Sequence, residues 1–134
     1  MVGGAGYIGS HACLALREAG HEVVVYDNFS TGHRQATLGG TLIDGDVKDS
    51  EKLKVIFRKY RVSAVMHFAA LLSVPESVSN PIAYYGANVE GTLSLLSAMV
   101  DVGIGEMVFS STAAVYGKPD YSPMLEDHPT RPLN

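Results

Sequence analysis

The sequence predicts an α/β fold, a doubly wound parallel sheet incomplete at both ends, on three observations. Short β-branched runs such as "HEVVVYD" and "VSAVMHFAA" alternate with longer helical patterns, which is how a parallel sheet with crossover helices reads. A glycine cluster, "GGAGYIGS", separates the first apolar residues from the first helical pattern. A chain of 134 residues with 46% apolar and 18% charged residues has the composition of one globular domain. Such a chain buries about two-thirds of its unfolded surface.

Each element has its own signal. After the glycine cluster, "YIGSHACLALREAG" puts Ile8, Cys13, Leu14 and Leu16 on one helix face, and Gly20 can end that helix in a left-handed cap. The strand "HEVVVYD" follows, then a short strand near "GTLID". In "DSEKLKVIFRKY", Asp49 or Ser50 can cap a helix with Leu53, Ile56 and Phe57 on one side. "VSAVMHFAA" reads as a buried strand, and "NPIAYYGANVEGTLSLLSAMVDVG" as a long helix with proline in its first turn, ending at Gly103. "EMVFSS" is the last strand, and the proline-rich tail after Gly117 reads as an ordered loop or a linker. Only Met1 and Val2 precede the glycine cluster, where a buried strand needs about five or six residues, so the central strand reads as truncated.

Composition removes several function classes. A net charge of −4 with scattered Lys and Arg offers no basic stripe for nucleic acid. The uncharged stretch Val62–Pro75 is too short and too polar to span a membrane, and no basic segment marks a signal peptide, so a cytoplasmic protein is expected. The single cysteine, Cys13, excludes an internal disulfide and reads as a small packed residue; His11, His21, His33 and His128 show no metal-site spacing.

The glycine cluster carries the chemistry. Gly3 or Gly4, Gly6 and Gly9 fit the pattern in which one glycine makes a tight turn, one admits a pyrophosphate to the backbone, and one lets helix pack on strand. Asp27 ends the second strand 18 residues after Gly9, near the roughly 20 at which a carboxylate takes up the adenosine ribose hydroxyls. Its charge repels a 2′-phosphate, which favours NAD over NADP, although His33 and Arg34 stand nearby. Asp46, in "IDGDV", can reach the adenine amino group or cap the helix that follows; spacing leaves both open. His67, inside an apolar strand, reads as a satisfied core histidine rather than a ligand.

The segments "GGAGYIGSH", "VVVYDNFSTGHR", "GDVKD", "VMHFAA", "ESVSNPIAYYGANVEGTLSLLSAM" and "FSSTAAVYG", in this order across residues 3–117, resemble the extended short-chain dehydrogenase/reductase family. The likeness is to its NAD-dependent nucleotide-sugar epimerases and dehydratases, above all those that epimerise at sugar carbon 4. The resemblance implies that residues 1–134 form part of a Rossmann-like NAD-binding domain, with the substrate-binding C-terminal domain absent, and that the parent is a homodimer. It places Tyr7 and Ile8 against the pyrophosphate, Asp27 and Asn28 at the ribose, and Asp46 and Val47 beside adenine. Phe68, Ala69 and Ala70 then line the cofactor beyond the next strand, with Asn88 and Ser110 as further contacts. Two positions depart from the family: Leu72 stands where a lysine is common, and Ala87-Asn88 where two asparagines are, so Asn88 either contacts the cofactor or braces its helix. Glu76 and the pair Tyr84-Tyr85 match as well, the pair reading as packing.

Thr112 matches the family's active-site hydroxyl, which holds the sugar 4-oxygen while a tyrosine phenolate takes the hydroxyl proton and hydride passes to NAD. The implied substrate is a UDP-hexose, UDP-glucose or UDP-galactose, interconverted through a 4-keto sugar. The base belongs to a Tyr-x-x-x-Lys pair, and no tyrosine of this chain has lysine four residues on; Tyr116 is followed there by Asp120. In the family that tyrosine comes about two dozen residues after the hydroxyl, beyond Asn134, so the resemblance implies an inactive N-terminal fragment, marginally stable or aggregating alone. Two other readings stand beside it: a different nucleotide-sugar epimerase or dehydratase, against which Ala113 and Ala114 speak, and a non-catalytic NAD-binding sensor.

Overall fold

The computed structural model describes residues 1–37 and 39–133. Four parallel strands form around the amino terminus: β1 (Val24–Asp27) pairs with β2 (Thr41–Asp44), and β3 (Ala64–His67) with β4 (Glu106–Phe109). Val2 bridges Tyr26 of β1 on one side and His67 of β3 on the other. The backbone completes the join, with Tyr26 N donating to Met1 O, Gly3 N to Tyr26 O, Val2 N to Met66 O and Phe68 N to Val2 O, at 2.8–2.9 Å. The order is therefore β2, β1, Met1–Gly3, β3, β4, the doubly wound arrangement expected. Short as it is, the central segment pairs with both neighbours, Met1 and Gly3 bonding to Tyr26 and Val2 to Met66 and Phe68.

The helices follow their apolar periodicity. α1 (Tyr7–Glu18) buries Gly9 and Cys13 and ends before Gly20, whose φ of +87° is the expected left-handed cap. Ile8 and Leu14 depart from the expected core face, at 59% and 37% exposure; Ile8 does so because the start of α1 opens onto a cleft. α2 (Ser50–Lys59) buries Leu53, Ile56 and Phe57. Its cap is Asp49, whose carboxylate accepts from Lys52 N at 3.0 Å. Replacing Asp49 by alanine is expected to lower stability by about 1 kcal/mol without changing the fold, readable as a shifted urea midpoint at constant slope.

The long helix is not uniform. It runs as α4 (Pro81–Tyr84), a π-helical stretch at Tyr85–Glu90, and α5 (Gly91–Val102). A further short helix, α3 (Val74–Ser79), was not legible in the pattern; Ser73 caps it, and no residue of it is buried. α2 and α5 pack together over one sheet face, where Leu53, Phe57, Leu95, Ala98 and Met99 surround Val65, Tyr26 and Val2. Val25 alternates with Tyr26 and so points to the opposite face, fully buried. No helix among the described residues is long and apolar enough to cross a membrane.

The tail is ordered rather than a linker. His128, 3% exposed, accepts from Asp120 N through Nε2 and bonds Pro129 O through Nδ1, both at 3.0 Å, between the rings of Tyr116 and Tyr121. Tyr116 is thereby a packing residue, as its lack of a lysine partner suggested.

Candidate functional site

At the carboxyl edge of the strands lies a cleft of about 870 Å³, with the glycine turn and α1 on one wall and the β4 exit on the other. That is where an open parallel sheet offers ligands a site. A small pocket of about 40 Å³ adjoins the same edge, lined by Tyr26, Asp27, Asn28, Gly45, Val47 and Ala69.

The glycine turn is shaped by close backbone approach. Gly3 has φ +78°, and a Cβ there would strike the backbone of Phe68 and Ala69; a Cβ on Gly9 would strike Gly3 O. These glycines let the chain pass from the central segment into α1 with no side chain between turn and ligand. Gly6 is the N-cap of α1, which has no side-chain cap and no acidic residue in its first turn. Its leading N–H groups and positive dipole end are left for an anion such as a pyrophosphate. Tyr7 and Ile8, 82% and 59% exposed, stand on the cleft wall beside them.

Asp27 terminates β1 and grips the turn. Its Oδ2 accepts from Ala5 N and its Oδ1 from Phe29 N, each at 2.9 Å, so the carboxylate braces two loops while bordering the small pocket. Each oxygen keeps a lone pair for a ligand hydroxyl. Asn28 donates to Asp46 Oδ2 at 3.2 Å, and Asp46 Oδ1 accepts from Lys48 N at 2.9 Å. Asp46 thus closes a turn of its own and does not cap α2, a role that belongs to Asp49. Arg34 pairs with Asp44 and lies 4.0 Å over the Phe29 ring, which occupies the cation that could have received a 2′-phosphate.

Tyrosines near the site are held in structural roles. Tyr26 donates to Asp46 O at 2.9 Å; burial first, then the carboxylates of Asp49, Asp46 and Asp44, push its phenol up to about 12. Tyr84 donates to Glu76 Oε2 and accepts from Ser73 N, each at 3.0 Å, and burial followed by Glu76 raises its phenol too. Neither is poised to serve as a phenolate base near neutrality. Tyr85 is 68% exposed.

Beyond β3, Phe68, Ala69 and Ala70 line the cleft. Asn88 also lines it, and its amide is committed: Oδ1 accepts from Leu71 N at 2.8 Å and Nδ2 donates to Leu71 O at 3.0 Å. The π-helical stretch aims this amide at the loop, a common use of such an irregularity. Leu72, 83% exposed, also borders the cleft. On the far wall, Ser110, Ser111 and Thr112 leave β4 in sequence. Thr112 Oγ1 accepts from Ala114 N at 3.1 Å at the start of a short 3₁₀ turn, Ala113–Tyr116, which leaves its proton for another acceptor.

His67 does not fit the satisfied-core reading. His67 is 2% exposed and its Nε2 lies 3.1 Å from Thr92 Oγ1, but Nδ1 is buried without a partner among the described residues. Thr92 was also absent from the expected site; 25 residues from His67, it carries no signal except its place one turn after Asn88.

Comparison with known proteins agrees with this fold. The family model described as the NAD dependent epimerase/dehydratase family matches residues 1–134. UDP-glucose 4-epimerase of Rhizobium meliloti is 50% identical over 134 residues, covering all of this chain and 41% of that protein. The structure of UDP-glucose 4-epimerase from Brucella ovis in complex with NAD superposes with a TM-score of 0.91 at 45% identity, covering 99% of this chain and 41% of that one. UDP-glucose 4-epimerase from Bifidobacterium longum, in complex with NAD+ and UDP, gives 0.88 at 36% identity, covering 97% of this chain and 41% of that one. The chain spans about two-fifths of the length of these relatives.

Proposed function

The chain belongs to the NAD dependent epimerase/dehydratase family, and from that premise we propose that it supplies the NAD-binding part of a UDP-hexose 4-epimerase that interconverts UDP-glucose and UDP-galactose. The observation that carries the reading is the cleft with the glycine turn on one wall and Ser110–Thr112 on the other, while Asp27 clasps that turn from the adjoining small pocket. NAD supplies a hydride acceptor at the nicotinamide. The residues around it divide the work by position. The α1 terminus with Tyr7 and Ile8 takes the pyrophosphate. Asp27 and Asn28 take the adenosine ribose, with Asp46 and Val47 towards adenine. Phe68, Ala69, Ala70 and Ser110 flank the remainder.

Thr112 holds the sugar 4-oxygen. The free proton of its hydroxyl supports that role, since its oxygen already accepts from Ala114 N. The NAD held by these residues would supply the reversible hydride chemistry at sugar carbon 4, while Thr112 would keep the 4-oxygen in place as the hydroxyl proton passes to a base. That base is not found in these residues, so the 134-residue chain alone binds NAD and does not turn over. The exposed Leu93 and Val100 on α5, at 61% and 76%, support a homodimeric whole protein; its place in the cytoplasm rests on the composition and on the missing signal-peptide pattern.

Titrating NAD and NADP into the chain, then assaying UDP-galactose conversion, tests the reading. We expect saturable NAD binding, weaker NADP binding because Asp27 meets the added phosphate, and no conversion. Failure to bind NAD, or measurable conversion, would count against it.

A further inference from the structure

The segment between β3 and α4 is fastened by polar bonds rather than by buried side chains. α3 (Val74–Ser79) buries no residue. Its fastening comes from one helical run that begins at α4. Tyr84, buried on α4, accepts from Ser73 N and donates to Glu76 Oε2, each at 3.0 Å, so one hydroxyl holds both the loop before α3 and its first turn. Asn88, four residues on, holds Leu71 by both its backbone groups.

These bonds hold out an apolar surface that the described residues leave uncovered. Leu72, Val74 and Val78 are 83%, 44% and 75% exposed, and all three line the cleft. Val74 and Val78 stand four apart on α3, which puts them on one face of it. Exposed apolar side chains gathered along one concavity mark a ligand surface. Among the described residues, no Asp, Glu, Lys or Arg lines this cleft. The wall therefore suits a flat, phosphate-free part of a ligand.

We propose that Tyr84 is a positioning residue of the cleft: its hydroxyl holds residues 71–79 so that Leu72, Val74 and Val78 form an apolar wall against the nicotinamide of the bound dinucleotide. The inference rests on the NAD-binding reading. In that reading the α1 terminus takes the pyrophosphate and Asp27 the adenosine ribose, while Leu71–Val74 continue in sequence the run Phe68–Ala70 that flanks the rest of the ligand.

The test is calorimetric titration of NAD, and of ADP-ribose, which lacks the nicotinamide, into the 134-residue chain and three variants, with thermal melts alongside. The double variant Leu72→Ser, Val78→Ser removes apolar surface that is exposed in the unliganded chain, so its melt is expected to match the parent. Its Kd for NAD is expected to rise about three- to tenfold, and its Kd for ADP-ribose to stay within about twofold. A side chain that contributes to affinity and not to the melt is meeting the ligand, not the fold. Tyr84→Phe keeps the ring and removes both hydroxyl bonds; its Kd for NAD is expected to rise about threefold, whatever the change in its melt. The triple variant separates positioning from stability. If Tyr84 acts through the wall, adding Tyr84→Phe to the double variant raises the Kd no further. Parent-like NAD affinity in the double variant would overturn the proposal, and so would an equal loss for ADP-ribose. Full additivity in the triple variant would overturn the role of Tyr84. Absence of NAD binding by the parent chain overturns the NAD reading itself, a distinct result.

Discussion

Replacing Gly3 by alanine is expected to cost about 2–5 kcal/mol of stability and to abolish NAD binding at any NAD concentration the parent chain needs. Two penalties combine. The residue sits at φ +78°, where a Cβ costs about 1–2 kcal/mol. The Cβ would also overlap the backbone of Phe68 and Ala69, which cannot rotate away as a side chain tip could. Overpacking of that kind costs about 1–3 kcal/mol. The displaced segment is the one that joins β1 to β3, so strain there loosens both halves of the sheet at once. Gly20 provides the control: its φ is +87° but a Cβ meets nothing within 4 Å, so Gly20→Ala pays only the backbone penalty. Urea melts of the two variants separate the explanations. If Gly3→Ala melts with Gly20→Ala and still binds NAD, close backbone approach is not what the turn requires.

Much of this architecture could be read from local pattern, and the failures share a cause. α2 was legible because Leu53, Ile56 and Phe57 recur at helical spacing behind a capping Asp49, all within a dozen residues. α3 was not, because Val74–Ser79 buries nothing; its order comes from the Ser73 cap and from Glu76 meeting Tyr84, contacts set by the fold around it. The π-helical stretch was invisible for a similar reason. Residues 81–102 read as one continuous helix, and only the commitment of Asn88 to Leu71 and of Thr92 to Asn88 shows why a wider turn is useful there.

The site divides the same way. Glycine spacing located the turn, a property of one short segment, whereas Thr112 was singled out only by the resemblance of "FSSTAAVYG" to a known family. The second role of Asp27, and the half-satisfied ring of His67, depend on partners brought in from residues 5, 29 and 92. Spacing from Gly9 put Asp27 at the ribose but was silent about the two backbone amides it accepts from. That silence matters, because a residue read as a ligand contact is also a structural clasp.

Asp27→Asn therefore tests both roles, and its expected result is a loss of about 2–3 kcal/mol of stability with NAD affinity falling about tenfold or more. An amide is close to the carboxylate in shape, so packing is unchanged and the loss is polar. The asparagine oxygen can replace one acceptor, but its NH₂ must then face either Ala5 N–H or Phe29 N–H, two donors with no acceptor between them. One charge-assisted bond is lost and its donor is left partly buried without a partner, together costing about 2–3 kcal/mol. The amide would also be forced to offer a donor where the ribose hydroxyls need an acceptor on one side, and the turn it clasped would be free to move away from the pyrophosphate. Asp27→Glu separates the clasp from the charge: it keeps the carboxylate but lengthens the arm by about one methylene, so discrimination against NADP is retained while stability still falls. If Asp27→Asn melts like the parent and loses only NAD affinity, the two backbone bonds contribute nothing and the residue is a ligand contact alone. If it loses stability and keeps NAD affinity, the ribose role is wrong and the clasp is all that remains.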